Sequence, residues 1–379
     1  MKIAEIVATF PPYHGGMGYV CFHNARELAR RGHNVTVFTL DYGRINYEHD
    51  PAYFNIVRLK TPVMYGDAGM VPQLYMRLRG FDIVHLHYPF FGGAEYVYLA
   101  SLLKGKKYFL TYHMDVHGNT IPKKLIIGAY EPLLMKKIIR RADLISAPSM
   151  EYLKKSKASR FIAWDRVIEM THGGVDTEKF SPRPKDKSLI EKYKLEGKVV
   201  ALFVGNLLPL KGLHILIDAV SRVNDETVVL LIVGGGYGEK VYKKQVKEAG
   251  LDHKVIFAGP KSPDEDLSLY YNVGDFLVLP STHSESFGLV VIEAMASGRP
   301  AIVSSLLGPS QLVEDGTDGL VAQVGDPEDL KNKIEYLAQE RDLRKTMGAA
   351  ARKKVTEKYT WDKIGEELER TLRDIIVRT

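Results

Sequence analysis

Two glutamates in one short segment have the residue type and spacing to contact the hydroxyl groups of a bound ligand. Glu285 and Glu293 lie eight positions apart within residues 281–304, on either side of Gly288. The segment predicts a strand end, a loop that carries Glu285, and a helix that begins near Leu289. Glu293 would then lie one turn inside the helix and accept ribose hydroxyls, while free amides of the first turn hold phosphate oxygens. Taken alone, Glu293 is explained more simply by a favourable interaction with the helix dipole, and Glu285 by a side chain in solvent.

Two other loops contain groups that could bind an anion. Gly15 and Gly16 stand between a strand pattern and a helical one, so their amides could approach a phosphate, although a tight turn explains them equally well. Lys211 precedes Gly212 in a second loop of this kind, which is therefore not a Walker loop. A lysine at such a helix start can neutralise a diphosphate, and the alternative is a solvated lysine beside a turn.

Three other features have a simpler explanation than catalysis. Residues 234–238 imitate a dinucleotide fingerprint, but Glu239 stands in place of its third glycine, so a nicotinamide enzyme is not expected. The acidic triplet 264–266 spells a metal motif of another enzyme class, yet it follows Pro263 at a predicted helix start, where acidic residues favour the dipole. The sequence shows no cluster of metal ligands, so we expect no bound metal. His113, at a strand end, could be functional or simply a hydrogen-bonded structural residue.

Length and composition restrict the class of protein. A chain of 379 residues is too long for one ordinary core, which predicts two domains. No apolar run reaches the roughly 18 residues of a membrane span, and residues 1–10 lack a secretory signal pattern, so a cytoplasmic location is expected. The single cysteine, Cys21, excludes an internal disulfide. The net charge of +6 favours anionic partners, but without a basic and aromatic RNA-binding motif we expect no nucleic acid among them.

Short β-branched segments alternate with segments of helical period, which predicts α/β domains with parallel sheets. Two prolines within residues 181–187 can neither continue a helix nor pair in a central strand, so we place the linker there. The predicted domains are 1–180 and 181–360, and the last amphipathic helix, 361–379, is expected to pack back on the first domain. The predicted strands are residues 3–8, 34–40, 55–59, 83–86, 108–112, 144–147, 167–171, 199–204, 228–233, 255–257, 276–279 and 301–303.

Together these motifs resemble a known family. The Glu285 and Glu293 element, with the run of small residues that leads to Pro300, is similar to the donor motif of the retaining GT-B glycosyltransferases of family four. Other segments agree with the family in order, so the resemblance covers nearly the whole chain: Gly15-Gly16, 31–35, 111–113, 173–176, Lys211-Gly212 and 314–316. The resemblance implies the GT-B fold, in which two Rossmann-like, doubly wound domains face a central cleft. The N-terminal domain would bind the acceptor and the C-terminal domain the nucleotide sugar, without a metal.

The resemblance also implies a role for each matching residue. Gly15 and Gly16 would face the diphosphate, and His113 would touch the transferring sugar from the acceptor side. Lys211 would hold the phosphates. Glu285 would bind sugar hydroxyls and act with His113 as the catalytic pair. The remaining donor contacts would be Glu293 at the ribose, Lys261 near the base, and Phe287, Gly288, Leu289 and Val290 through their backbone amides.

Asn206 departs from the family pattern, which usually has an arginine beside the lysine. Because a charge-assisted hydrogen bond is roughly twice as strong as a neutral one, the departure removes half of the expected phosphate clamp. Either another cation replaces the arginine or donor binding is altered.

Residues 121–141 are a candidate acceptor surface. Six basic residues and one acid, Glu131, give this segment a charge of six minus one, or +5, and apolar residues lie between them. A basic amphipathic helix of this kind can lie on anionic lipid, which would make the protein peripheral to the inner membrane face. An ordinary half-buried helix with a solvated face is the preferred alternative.

The predicted function is transfer of a hexose from a nucleoside diphosphate sugar to a hydroxyl of a glycan or lipid-linked acceptor, with retention. The nucleotide sugar is the donor substrate, and no separate cofactor is expected. Three alternatives remain open on the same fold: a nucleotide-sugar epimerase, a glycan phosphorylase, and a non-catalytic protein that binds sugar nucleotides.

Overall fold

The structure is a computed structural model that describes residues 1–12, 15–43, 53–116, 120–147, 149–261, 266–283 and 285–377. The chain divides into two compact units. The first unit comprises Met1–Gly173 and Trp361–Thr379, and the second comprises Gly174–Thr360.

Strands rich in branched residues form the centre of each unit, because a parallel sheet is buried on both faces. In the first unit they are β1 Lys2–Ile6, β2 Asn34–Leu40, β3 Asn55–Leu59, β6 Ile83–Tyr88, β7 Tyr108–Tyr112, β8 Leu144–Ala147 and β9 Val167–Glu169, with the short antiparallel pair β4 Met64–Tyr65 and β5 Ala68–Gly69. In the second unit they are β10 Val199–Val204, β11 Val228–Val233, β12 Val255–Gly259, β13 Phe276–Leu279, β14 Ala301–Ser304 and β15 Gly319–Ala322.

Both main sheets are parallel and doubly wound. The first has the order β3-β2-β1-β6-β7-β8-β9, and the second has the order β12-β11-β10-β13-β14-β15. The strand order reverses beside β1 in one sheet and beside β10 in the other. In such sheets the loops beyond the carboxyl ends of these strands bind ligands. The predicted α/β class is therefore confirmed.

Helices connect the strands and cover the sheets. They are α1 Gly16–Arg30, α2 Gln73–Arg77, α3 Ala94–Lys104, α4 Ile121–Tyr130, α5 Lys136–Arg141, α6 Met150–Lys155, α7 Lys187–Tyr193, α8 Leu213–Ser221, α9 Glu239–Glu248, α10 Leu267–Val273, α11 Leu289–Ala296, α12 Leu307–Ser310, α13 Pro327–Gln339, α14 Arg341–Lys358 and α15 Trp361–Val377. A π-helical turn, Glu131–Met135, joins α4 to α5.

The last helix, α15, packs against α1 within the first unit. Arg31 contacts Asp362 at 2.6 Å, and the His23 and Trp361 rings stack with centroids 4.2 Å apart. The Cβ of an alanine at Gly365 would lie 2.5 Å from the Cβ of Glu27, so the glycine permits the close approach of the two helices.

Residues 181–187 do not separate the two units. Arg352 donates a hydrogen bond to the carbonyl of Phe180 at 2.8 Å, and Lys185 contacts Asp275 at 2.8 Å. These contacts hold the proline segment on the second unit, so the boundary falls before it. Sequence reasoning placed the linker too late because the prolines prevent regular structure without preventing packing. It also missed β15, a four-residue strand.

The basic segment differs from the preferred sequence interpretation. Ile138 and Ile139 are buried, but several other apolar side chains face solvent. A half-buried helix accounts for the buried residues, but it does not explain why several large apolar side chains of the segment are in solvent. The exposed side chains are Ile121 (76 %), Leu125 (69 %), Ile126 (69 %) and Leu133 (61 %).

No helix in the described ranges is both long enough and apolar enough to cross a membrane.

Candidate functional site

The segment 281–304 folds as predicted around the start of α11. Gly288 caps this helix with φ of 109°, a left-handed conformation that favours glycine. The hydroxyl of Ser304 donates to the carbonyl of Ser281 at 2.6 Å, which ties β14 to the loop before the helix. Glu285 lies on that loop. Ser284 lies outside the described residues.

Lys211 and Glu285 form an ion pair. The same carboxylate oxygen accepts a hydrogen bond from the hydroxyl of Ser281 at 3.1 Å. Only 23 % of the Lys211 side chain and 13 % of the Glu285 side chain are exposed, so solvent screens this pair less than a surface pair. The structure therefore brings together the predicted phosphate ligand and the predicted sugar ligand.

The two loops meet because β10 and β13 are neighbours in the sheet. The amide of Thr282 donates to the carbonyl of Leu210 at 2.9 Å. Gly212 has φ of 69°, and a Cβ there would lie 1.9 Å from the carbonyl oxygen of Pro280. Only glycine permits this approach, which holds Lys211 beside the Glu285 loop.

Glu293 is half-buried inside α11 and accepts a hydrogen bond from the hydroxyl of Tyr271 at 2.5 Å. Burial raises the pKa of Glu293 from 4.5 to about 7, against the opposing effects of Tyr271 and of the charge on Lys179. Ligand hydroxyls that donate to this carboxyl would favour its ionised form and so oppose the effect of burial. Sequence reasoning did not identify Tyr271, since nothing in its local sequence marks it.

The other residues of the second unit that were predicted to bind the donor have the following surroundings. Asn206 is exposed in the loop after β10, and the ammonium group of Lys261 lies 4.8 Å from the ring centroid of Tyr270. Phe287 packs near Tyr359, with ring centroids 6.2 Å apart. Leu289 and Val290 are half-buried at the start of α11. The acidic triplet lies outside the described residues except for Asp266, which caps α10 by accepting the amide of Ser268 at 3.0 Å.

In the first unit, Gly15 and Gly16 stand at the start of α1 and are exposed. A Cβ at Gly16 would meet no atom within 4 Å, so packing does not demand glycine there. A Cβ at Gly18 would lie 2.5 Å from the carbonyl oxygen of Thr9, so Gly18 is the glycine that the local packing requires. The exposure of both glycines and the open space at Gly16 leave the first amides of the helix accessible to a ligand.

His113 follows β7 and is 5 % exposed. It belongs to a buried cluster with Glu5, His85 and His87, all of which are 0 % exposed. His85 Nδ1 and His87 Nε2 lie 2.9 Å and 2.8 Å from Glu5 Oε2, and His87 Nδ1 lies 2.8 Å from His113 Nε2. Sequence reasoning missed the cluster, although two histidines at alternate positions of a strand were the available signal.

The environment disfavours the charged forms of His87 and His113. Burial, assisted by the charge of His85, lowers the pKa of His87 to about 4, and burial with the charge of His87 lowers the pKa of His113 well below 6.5. Burial opposes ionisation of Glu5, but the charge of His85 and hydrogen bonds from His85 and His87 outweigh it and lower the pKa of Glu5 to about 2. Glu5 is therefore ionised, and His87 and His113 are neutral imidazoles.

Glu5, His85 and His87 are also the side chains in the described ranges that could hold a metal ion, since their ligand atoms lie within 4.8 Å of one another. Sequence reasoning found no such group. In the structure these atoms are joined by direct hydrogen bonds.

Comparison with known proteins agrees with this architecture. Residues 185–354 match the family described as glycosyl transferases group 1, and residues 14–179 match glycosyltransferase family 4. A glycosyltransferase of Methanocaldococcus jannaschii is 30 % identical, over 93 % of this chain and 92 % of its own length. A GDP-mannose-dependent alpha-(1-6)-phosphatidylinositol monomannoside mannosyltransferase of Mycobacterium tuberculosis is 26 % identical over 98 % of both chains.

A solved structure of Anabaena HepE in complex with UDP has the same fold, with a TM-score of 0.81, 20 % identity, and coverage of 99 % of this chain and 100 % of that one. The GT-B fold that the sequence predicted is thereby confirmed. With matches along nearly all of its length, the chain belongs to the group 1 glycosyltransferases, family 4.

Proposed function

We propose that the protein transfers a hexose from a nucleoside diphosphate sugar to a hydroxyl of a glycan or lipid-linked acceptor, with retention of the anomeric configuration. The observation that carries this proposal is the Lys211 and Glu285 pair beside the start of α11. It places a cation for a diphosphate and a carboxylate for sugar hydroxyls next to helix amides that favour anions.

In the proposed reaction the bond between the sugar C1 and the diphosphate oxygen breaks while the acceptor oxygen bonds to C1 on the same face. The negative charge that develops on the leaving diphosphate is stabilised by Lys211 and the first amides of α11. The acceptor proton passes to the departing phosphate oxygen. Glu285 orients the sugar, Glu293 accepts the ribose hydroxyls, and His113 contacts the transferring sugar. None of these steps needs a metal.

Lys211 changes partner in this proposal. In the free protein its charge is satisfied by Glu285. A diphosphate offers Lys211 a stronger anionic partner, which leaves the Glu285 carboxylate available for sugar hydroxyls. Lys211 thus binds the diphosphate without the arginine of the family, whose position is occupied by Asn206.

The relatives support a nucleotide-sugar donor. The mycobacterial relative uses GDP-mannose according to its name, and the HepE structure contains UDP. A phosphorylase would show the absorbance band of a pyridoxal cofactor. An epimerase would convert the donor without an acceptor, and a non-catalytic binder would leave it unchanged.

Thermal-shift measurements with uridine, guanosine and adenosine diphosphate sugars test the donor. We expect one base to raise the melting temperature clearly, since a ligand at 100 times its Kd stabilises the folded state by about 2.7 kcal/mol. With that donor, NMR of the product should show the anomeric configuration of the donor. An inverted product would contradict retention, and the absence of a shift with every donor would contradict the proposed site.

Glu293 provides a second test, through pH. Its pKa is about 7 in the folded chain and near 4.5 when unfolded, so the folded state binds the proton more tightly and loses stability as pH rises from 4.5 to 7. The pKa difference corresponds to about 3 kcal/mol. We expect Glu293→Gln to melt higher than the wild type at pH 8 and nearly equally at pH 4.5, measured by calorimetry. Equal melting at both values would show that ionisation of Glu293 is not costly.

The exposed apolar face of residues 121–141 supports an anionic membrane as the place of the acceptor. Lys124, Lys137 and Arg140 are exposed on the same segment. Glu131, its one acid, contacts Lys157 at 2.9 Å and also Arg160, so it does not offset the basic residues. Apolar burial combined with about 1 kcal/mol per basic residue near the surface is the mode by which amphipathic helices bind anionic lipid.

Co-sedimentation with vesicles tests this surface. We expect the protein to bind phosphatidylglycerol vesicles at low salt and not phosphatidylcholine vesicles, and we expect the double change Leu125→Asp and Ile126→Asp to abolish binding. Val241→Asp, at a side chain 66 % exposed on α9 of the second unit, is the matched control and should leave binding unchanged. Absence of wild-type binding to anionic vesicles would contradict the proposal.

A further inference from the structure

The polar cluster beside His113 occupies one face of the first sheet. Glu5 on β1 is the direct register partner of His85 on β6, and His87 lies two positions further along the same strand. Alternate residues of a strand share a face, so all three side chains point to the same side of the sheet. Apolar residues lie beside them, with Ile3, Val7 and Phe109 among the buried ones.

Such a cluster is costly to bury. A carboxylate and imidazoles lose their hydration, and well-packed apolar side chains in the same places often give equal or greater stability. Thr111 completes the cluster by bonding His85 Nε2 at 2.8 Å. The hydrogen bonds satisfy the cluster, but stability alone does not account for its presence.

The hydrogen bonds determine which ring nitrogen carries the proton. Glu5 is ionised and can only accept, so His87 Nε2 carries a proton and donates it to Glu5 at 2.8 Å. Neutral His87 then has a bare Nδ1, which accepts from His113 Nε2 at 2.8 Å. His113 therefore carries its proton on Nε2, and its Nδ1 has a free lone pair.

His113 is also held in position by its backbone, because its amide donates to the carbonyl of Tyr88 at 2.8 Å. Its ring stacks on that of His87, with centroids 5.1 Å apart and planes 17° apart. Its Nδ1 has no hydrogen-bond partner among the described residues, so this atom is the one available to a ligand.

A second imidazole beside His113 has no hydrogen-bond partner in the described part of the chain. His172 is 3 % exposed, its ring centroid lies 6.2 Å from that of His113, and neither ring nitrogen bonds to any described group. Buried polar atoms in folded proteins are normally satisfied. An unsatisfied imidazole at this place is therefore an independent indication that a polar ligand binds next to His113.

From these contacts we infer that Glu5 and His87 are positioning residues for His113, and that they fix the tautomer in which His113 Nδ1 accepts a hydrogen bond from a hydroxyl of the substrate. The inference rests on the proposed function, in which His113 contacts the transferring sugar. A carboxylate that orients a histidine through a hydrogen bond is a general means of fixing tautomer and ring orientation. Here the effect passes through a second histidine.

Nitrogen NMR of the histidine rings, assigned with His113→Gln, tests the tautomer in the wild-type protein. We expect the His113 proton on Nε2, with Nδ1 bare. We expect Glu5→Gln to shift this tautomer, because a carboxamide must donate as well as accept. The same variant should lower kcat at least about 10-fold, with the thermal shift by the donor retained.

Tyr108→Phe is the matched control. Tyr108 lies on β7, the strand that precedes His113. The change removes its buried hydroxyl, which donates to the carbonyl of Ile138. This variant should change neither the tautomer nor kcat. The tautomer of His113 is measured in the wild-type protein. The inference therefore stays testable even if Glu5→Gln does not fold.

Three results would overturn the inference: a wild-type His113 protonated on Nδ1, a folded Glu5→Gln protein with unchanged kcat, or a stoichiometric metal ion that Glu5→Gln loses. Failure of the proposed function looks different. In that case wild-type protein transfers no sugar from any donor, or His113→Gln transfers it normally, whatever the tautomer.

Discussion

Replacing Glu285 with glutamine should lower kcat for sugar transfer by about two to three orders of magnitude. The change keeps the size of the side chain but removes the charge that pairs with Lys211 and that would accept the sugar hydroxyls. Hydrogen bonds to a carboxylate are stronger than those to an amide, and the oriented sugar depends on them in the transition state. Initial-rate measurements at saturating donor and acceptor check the prediction.

The nucleoside diphosphate without its sugar separates binding from catalysis. We expect it to raise the melting temperature of Glu285→Gln as it does that of the wild type, since Lys211 and the start of α11 remain. Glu248→Gln is the matched control, because it removes one partner of an exposed Lys–Glu pair on α9, with Lys244 at 3.5 Å. The control should transfer sugar at the wild-type rate. Wild-type kcat in Glu285→Gln would contradict the assigned role of Glu285.

Gly212→Ala should be among the most damaging single-methyl changes in the second unit. Its φ of 69° already disfavours a side chain, and the new Cβ would lie 1.9 Å from the carbonyl oxygen of Pro280. Neither atom is a flexible side-chain end, so the loop of Lys211 must move away from the loop of Glu285. We expect a loss of at least about 4 kcal/mol in the free energy of unfolding of this unit. Calorimetry measures the loss, and donor transfer should be lost with it.

Gly197→Ala provides a control with almost the same backbone. Gly197 has φ of 68°, and a Cβ there would meet no atom within 4 Å. It should cost only about 1 to 2 kcal/mol, the cost of the left-handed conformation. The difference between the two alanine variants isolates the contact with Pro280. Equal melting temperatures would show that the two loops do not need this close approach.

Much of the fold could be predicted from local sequence. The branched segments that became β1, β10 and β13 are buried runs with the composition of parallel strands, and their order along the chain predicts doubly wound sheets. The arrangement of residues 281–304, the predicted donor-binding segment, was predictable for the same reason. Glu285, Gly288 and Glu293 lie within one strand, loop and helix, so their spacing in sequence largely determines their arrangement.

The contacts between distant segments could not be predicted in this way. Lys211 meets Glu285 across 74 positions only because β10 and β13 are neighbours in the sheet. Tyr271 reaches Glu293 for a similar reason, from α10 to α11. The local sequence around each residue carries no record of its partner, so the ion pair and the raised pKa of Glu293 are properties of the folded chain.

By itself, the sequence determined the family, the two parallel α/β domains and the local element that carries both glutamates, because these depend on residue order and periodicity. The tertiary structure decided that Lys211 is paired with Glu285, that residues 174–187 belong to the second unit, and that Ile121, Leu125 and Ile126 of α4 face solvent. It also decided that Glu5 reaches His113 through His87, because the register between β1 and β6 and the order of β6 and β7 bring together side chains that are far apart along the chain.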